Sequence, residues 1–360
     1  MKTVLLSTSS LWNCGDDFIR EGVLELVKFK PDVRIIWWNR GYGISCRYAN
    51  DLKINLPLID YFIMAGTPQW IFRNEVIYDY CLKMGIPISI IGVGTRGIAN
   101  NAHYKLMKRV ANSGLCEIST ARDEAALESL KELGFKNTEL MLDPAFFMQS
   151  LDMKEKINIL GWRYQFGYDH DPYLLRMEPL KFFRMQQIRW SKRKERKLLR
   201  EEYNKYMLRI FDSMAEPKLI VIHDNREIEK AESIFGKQYV FYSSDYREIF
   251  RIYSTTKIYF GSRLHGSIPA IIHGGSVHLI YADPRWNCMK TAISILSKHI
   301  EDINKKIKVT LIGKDILDDF TNGLEPLNKD KIQKAIKKEK DKIRSLLKNQ
   351  KLLSSLIVDT

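Results

Sequence analysis

Short apolar runs rich in β-branched and aromatic residues alternate with stretches of helical periodicity along most of the chain. Residues 3–7, 33–38, 61–64, 88–91, 116–119 and 138–142 read as strands, and 18–29, 73–84, 101–112 and 123–133 as helices, the last closed by Gly134. The sequence Asp143-Pro144 stops the series, and 147–156 reads as a linker. The alternation then resumes, with strands at 157–161, 219–223, 239–242, 258–260 and 277–281 and helices near 197–214, 227–235 and 246–253. Strands separated by helix-length crossovers require parallel sheets covered on both faces. The expected fold is therefore α/β, with two Rossmann-like doubly wound lobes facing across a cleft. Residues 1–146 would form the first lobe and 157–300 the second, with an aromatic, basic insertion at 165–209 and a basic helical tail over 301–360.

In such folds ligands sit beyond the carboxyl ends of the strands, so the turns there are the places to look for chemistry. The most telling is Gly261-Ser262-Arg263-Leu264-His265-Gly266-Ser267, between a predicted strand and an apolar helix. Arg263 offers a permanently charged fork for carboxylate or phosphate, and His265 a proton carrier near neutral pH. The plainer reading of the pair is a surface ion pair and a helix-start residue. Asn13-Cys14-Gly15-Asp16 follows the first strand, where a glycine admits a close ligand, a helix start favours an anion, and Asn13 and Asp16 either orient hydroxyls or simply cap the helix. Gly92-Val93-Gly94-Thr95-Arg96-Gly97 matches G-x-G-x-x-G, but it follows the fourth strand, and Glu117 falls inside a strand. It reads as a close backbone approach or a tight turn, not as a dinucleotide fingerprint.

Composition narrows the class. With 360 residues and 45% hydrophobic content the chain can build two cores. The apolar start is too short for a signal peptide, and no run reaches the roughly 18 residues of a membrane span, so a cytoplasmic protein is expected. Five scattered cysteines without C-x-x-C support neither a disulfide framework nor a zinc cage. The net charge of +14 is localised. Residues 181–209 hold 11 basic against 3 acidic side chains and 329–348 hold 9 against 3, which leaves the remainder neutral. No nucleic-acid signature accompanies the charge. Two solvated helical faces, or peripheral contact with an anionic membrane surface at its inner face, are the readings that remain. Asp169-His170-Asp171 resembles a metal-holding D-x-D pair but lacks strand context, and no metal is expected.

Taken in order, Asn13-Cys14-Gly15-Asp16, Gly92-Val93-Gly94, Arg122-Asp123, Asp143-Pro144-Ala145 and Ser262-Arg263-Leu264-His265-Gly266 resemble the polysaccharide pyruvyl transferase family over roughly residues 1–300. No one motif is specific; their order and spacing carry the likeness. The resemblance implies a fold similar to GT-B glycosyltransferases. It also implies transfer of a pyruvyl group, as a ketal, from phosphoenolpyruvate to a sugar of a cell-surface polysaccharide or its lipid-linked precursor. No cofactor is implied; phosphoenolpyruvate is the donor substrate. On this reading His265, Arg263 and Asp16 are catalytic, and Arg163, Ser262, Asn13, Gly15 and Gly94 bind substrate. The chain departs from the family at Ala65-Gly66-Thr67-Pro68-Gln69-Trp70, where a glycine-rich turn is usual. The alternatives are a GT-B-type glycosyltransferase using a sugar nucleotide, and a non-catalytic saccharide- or anion-binding protein.

Overall fold

The computed structural model describes residues 1–8, 14–39, 58–67, 70–71, 74–94, 100–163, 201–281, 286–311 and 326–358. Among these residues lie two six-stranded, wholly parallel sheets. The first is built from β1 (Lys2–Thr8), β2 (Val33–Asn39), β3 (Tyr61–Ala65), β4 (Ile88–Val93), β5 (Cys116–Ala121) and β6 (Thr138–Leu140), in the order β2-β1-β3-β4-β5-β6. The second is built from β7 (Ile157–Gly161), β8 (Lys218–Val221), β9 (Val240–Phe241), β10 (Thr256–Gly261), β11 (Ser276–Tyr281) and β12 (Ile307–Leu311), in the order β12-β11-β10-β7-β8-β9. Strands β3 and β4 are buried along their whole length, as a sheet covered on both faces requires. The strand order reverses between β1 and β3 in one lobe and between β7 and β10 in the other. These crevices are where a doubly wound sheet binds ligands.

The helices used below are α1 (Cys14–Val27), α2 (Glu75–Met84), α3 (Asn101–Asn112), α4 (Glu124–Leu133), α5 (residues 201–213), α6 (Ile228–Phe235), α7 (Tyr246–Ser254), α8 (Leu264–Ile272), α9 (Trp286–Ser297), α10 (Ile303–Lys306) and α11 (Lys329–Lys348). Their ends follow local chemistry. The Asp123 carboxylate caps α4 through the Ala126 N–H, and Gly134 closes it in the left-handed conformation. Asp245 caps α7 in the same way through Arg247 N–H. Helix α1 begins at Cys14, four residues before the predicted start, with Cys14 and Gly15 both buried.

One apolar cluster runs through both lobes. It joins β1 and α1 to α7, α8, α9 and α11, with Phe18 and Phe250 in edge contact at 5.5 Å. Two further clusters fill the outer layers, one around β3, β4, α2 and α3, the other around α5, α6 and β8. The connection between the lobes is pinned by His273 at the end of α8. Its Nδ1–H donates to Pro269 O at 2.7 Å, and its Nε2 accepts the Leu151 N–H at 2.8 Å.

The second sheet runs on to Leu311 through β12, past residue 300, where the sequence pattern ends that lobe. From there the tail returns to the first lobe. Helix α11 buries Ile332, Ala335, Ile336, Ile343 and Leu347, one face at helical spacing. Arg344 donates to the last carbonyls of α1, at 2.6 Å to Glu25 O and 3.1 Å to Leu26 O. Helix α1 has no basic residue in its own last turn, so Arg344 supplies the positive charge its carboxyl end favours. Ile357 then forms an antiparallel bridge with Phe29. Of the basic residues in this helix, Lys331, Lys334, Lys337 and Lys338 are exposed, while Lys340 pairs with Glu25 at 3.2 Å. Among the described residues no helix is long and apolar enough to cross a membrane. The predicted insertion at 165–209 lies outside the described residues except for its last part, which is in α5.

Candidate active site

The described candidate residues lie just beyond the carboxyl ends of strands. Ser262 and Arg263 leave β10, Arg163 leaves the adjacent β7, Gly15 and Asp16 lie in the first turn of α1 beyond β1, and Gly94 follows β4. Asn13 lies outside the described residues, as does Asp169-His170-Asp171. The two lobes touch at Gly15: a Cβ built there would lie 2.3 Å from His265 Nδ1. Only a glycine lets the start of α1 come so close to the imidazole.

The other ring nitrogen of His265 faces two residues that sequence reasoning marked as family-like but left out of the site. Its Nε2 is 3.6 Å from Asp143 Oδ2 and 3.5 Å from Arg122 Nη1. Arg122 and Asp143 form an ion pair with 1% and 0% of their side chains exposed. Burial by itself would raise the Asp143 carboxyl, but Arg122, and after it His265, outweigh it and hold the group well below the ordinary carboxylate range. A Cβ on Gly94 would stand 2.8 Å from Arg122 Nε, so this glycine serves the close approach of a buried guanidinium. The site therefore contains a carboxylate fixed as an anion, an arginine paired with it, and a histidine bridging to the opposite lobe.

Arg263 is placed differently from an open anion clamp. Its Nε donates to Trp162 O at 3.1 Å and its Nη2 to the Glu227 carboxylate, with the two side chains 12% and 3% exposed. Two of its three nitrogens are thus engaged within the protein. Around it stands a polar shell: Tyr203 OH and Ser262 Oγ are 2.7 Å apart, Tyr259 O–H donates to Arg263 O at 2.7 Å, and Tyr253 OH meets His223 Nε2 at 2.8 Å. Burial pushes the Tyr203 phenol up to about 12 and holds His223 well below its usual value, with Arg263, His265 and Arg163 adding to the effect on His223. This environment favours the neutral form of the His223 imidazole. Burial likewise raises the Cys14 and Cys288 thiols well above their ordinary range, so neither offers a thiolate.

The unusual turn after β3 is part of the packing. Gly66 lies against Gly92 O, Thr67 O accepts the Gly94 N–H at 3.1 Å, and Trp70 is 1% exposed. Pro68 and Gln69 lie outside the described residues.

Comparison with known proteins agrees with this architecture. The structure resembles a Staphylococcus aureus MnaA solved with UDP, at a TM-score of 0.52 and 10% identity, covering 98% of this chain and 92% of that one. It also resembles the UDP-GlcNAc 2-epimerase of Neisseria meningitidis bound to UDP-GlcNAc, at 0.52 and 10%, covering 96% and 100%. At such identities the likeness establishes the fold, two GT-B-like lobes. No curated protein sequence matches the chain. The family model for polysaccharide pyruvyl transferase matches residues 13–284, a span that includes every candidate residue. The chain is a transferase and belongs to the polysaccharide pyruvyl transferase family.

Proposed function

We propose that this transferase moves a pyruvyl group from phosphoenolpyruvate to two hydroxyls of a saccharide, closing a ketal and releasing phosphate. The observation that carries this reading is the meeting of Gly15, at the amino end of α1, with His265, beside Arg263, at the start of α8. Two elements that favour anions face each other there, and a proton carrier stands between them. Phosphoenolpyruvate has a carboxylate and a phosphate on a vinyl carbon, which suits such a pairing. Arg163 balances the donor's charge together with Arg263, whose own charge is shared with Glu227, and Ser262 and the Gly15 and Gly94 turns complete the donor side; Asn13 belongs to the same reading. His265 protonates the methylene carbon, and positive charge develops at the carbon bearing phosphate. One sugar hydroxyl attacks that carbon and gives its proton to a carboxylate, for which Asp16, in the same helical turn as Gly15, is the candidate. A second hydroxyl then displaces phosphate, and its proton leaves as part of hydrogen phosphate. No cofactor takes part.

The acceptor on this reading is a cell-surface polysaccharide or its lipid-linked precursor, met at the inner face of the membrane. The exposed lysines of α11 supply charge for an anionic surface. Binding to anionic vesicles should then fall steeply with added salt. The decisive experiment is incubation with phosphoenolpyruvate and a panel of cell-wall and capsule glycans. Phosphate release coupled to a pyruvyl mass gain on one glycan is expected. A second reading, transfer from a sugar nucleotide, draws on the UDP-GlcNAc and UDP in the similar structures. Stabilisation against heat by UDP-GlcNAc and not by phosphoenolpyruvate would favour it.

A further inference from the structure

We propose that Asp143, backed by Arg122, positions His265 by holding its Nε2–H, so that Nδ1, the nitrogen turned to Gly15 and the opening of α1, carries the transferred proton. This rests on the pyruvyl-transfer reading for its chemistry, but its geometry stands apart. Asp143 has no freedom to turn. Its Oδ1 accepts the Ala145 N–H at 2.9 Å, and its Oδ2 accepts from Arg122 and faces His265 Nε2 at 3.6 Å and Cys288 Sγ at 3.6 Å. An ionised carboxylate can only accept, so an imidazole nitrogen facing it is favoured as a donor. Arg122 Nη1, 3.5 Å from the same nitrogen, asks for the opposite tautomer. That guanidinium already donates to Asp143, however, and turning an Nε2 lone pair toward a buried anion would cost more than the long contact returns.

The remaining charged or titratable groups near His265 come from several elements: Cys14 and Asp16 in the first turn of α1, His223 beyond β8, Cys288 on α9, and Arg263 two residues before it in sequence. None of them fixes the ring as Asp143 does. Only Nδ1, on the Gly15 side, is then left to reach a ligand between the lobes. In the transfer step the Nδ1 proton passes to the methylene carbon as the C=C electron pair forms the new C–H bond. The imidazole left neutral keeps its Nε2–H toward Asp143. The proton collected from the attacking hydroxyl restores Nδ1 between turnovers. Loss of the carboxylate should act as loss of a histidine's orienting acid does in other proton-transfer sites, on tautomer and turnover more than on substrate binding.

The test uses the full chain labelled with nitrogen-15 in its 7 histidines, with His265 assigned by His265→Gln. Long-range proton–nitrogen spectra of the wild type should show neutral His265 as the Nε2–H tautomer, and Asp143→Asn should shift population to the other form. A neutral wild-type His265 that holds its single proton on Nδ1 overturns the proposal without any reaction being run. In kinetics, Asp143→Asn should lower kcat by about 100- to 10,000-fold while the KM for phosphoenolpyruvate stays within about threefold. An unchanged kcat, or a loss expressed only in KM, also overturns it. If Asp143→Asn does not fold, the wild-type tautomer decides; if the wild type consumes no phosphoenolpyruvate, the functional reading fails while the spectrum still judges the positioning.

Discussion

Replacing Gly15 by alanine tests the apposition of the lobes with a single methyl group. The new Cβ would sit 2.3 Å from His265 Nδ1 and 2.7 and 2.8 Å from its Cγ and Cβ, where ordinary contact begins at 3.4 Å. The imidazole or the start of α1 must therefore move by about 1 Å. Local stability should change little, because alanine in a helix gains about 0.5–1 kcal/mol over glycine, which offsets part of the roughly 1–3 kcal/mol that overpacking costs. Catalysis should change far more, since about 1 Å of misplacement costs on the order of 100-fold in rate. The assay is phosphate release from phosphoenolpyruvate with the best acceptor glycan, beside a melting curve. Gly22→Ala is the control: its Cβ would meet Pro144 O at 1.7 Å, and backbone cannot swing aside as a side chain can. That variant should lose stability first, and activity only in proportion to the folded fraction. Full activity in Gly15→Ala at unchanged stability would show that His265 does not work in the position described, and would remove the chief support for the cleft-spanning site.

Other consequences are as direct. Arg263→Lys should lower the melting temperature as well as donor affinity, because the buried Glu227 loses a forked partner, and breaking such pairs costs up to about 3–5 kcal/mol; adding Glu227→Gln should recover stability without recovering turnover. Burial holds His273 down at about 4 against an ordinary 6.5, so the unfolded chain binds the extra proton between these values. Stability contributed by neutral His273 is therefore present above pH 6.5 and lost as pH falls toward 4, by at most on the order of 3 kcal/mol, measurable as a falling urea midpoint that His273→Gln should flatten. Asp17 works against this trend, since burial raises it to about 6, and Asp17→Asn should steepen the loss. Removing residues 329–360 would take away Ile332, Ile336, Ile343 and Leu347 and uncover the apolar surface they pack against, and the shortened chain should aggregate or melt without a cooperative transition; a normal sharp melt would mean the tail is dispensable.

What the sequence determined by itself was whatever is decided within a few residues. Gly134 ends α4 because a left-handed residue is needed at that point, Asp123 begins it because a short carboxylate reaches the third N–H, and Ile157–Gly161 and Asn101–Asn112 fall where the apolar period puts them. The alternation of strand and helix therefore specified the two doubly wound lobes, and the polar turns at strand ends specified where to look for chemistry. Strand β12 escaped that reading because Ile-Lys-Val-Thr-Leu is a half-polar edge sequence, recognisable only once β11 is there to pair with it. The tertiary structure alone decided the partners. Glu227, 36 residues away, and the Trp162 carbonyl, 101 residues away, each take one nitrogen of the Arg263 fork, and Arg122 meets His265 across 143 residues. A motif announces that an arginine or a histidine is present; whether its charge is already balanced depends on what the fold brings against it. The tail makes the same point: its apolar stripe was legible, but that it would close on α1 and supply the charge missing from that helix's end depends on a surface assembled from both lobes.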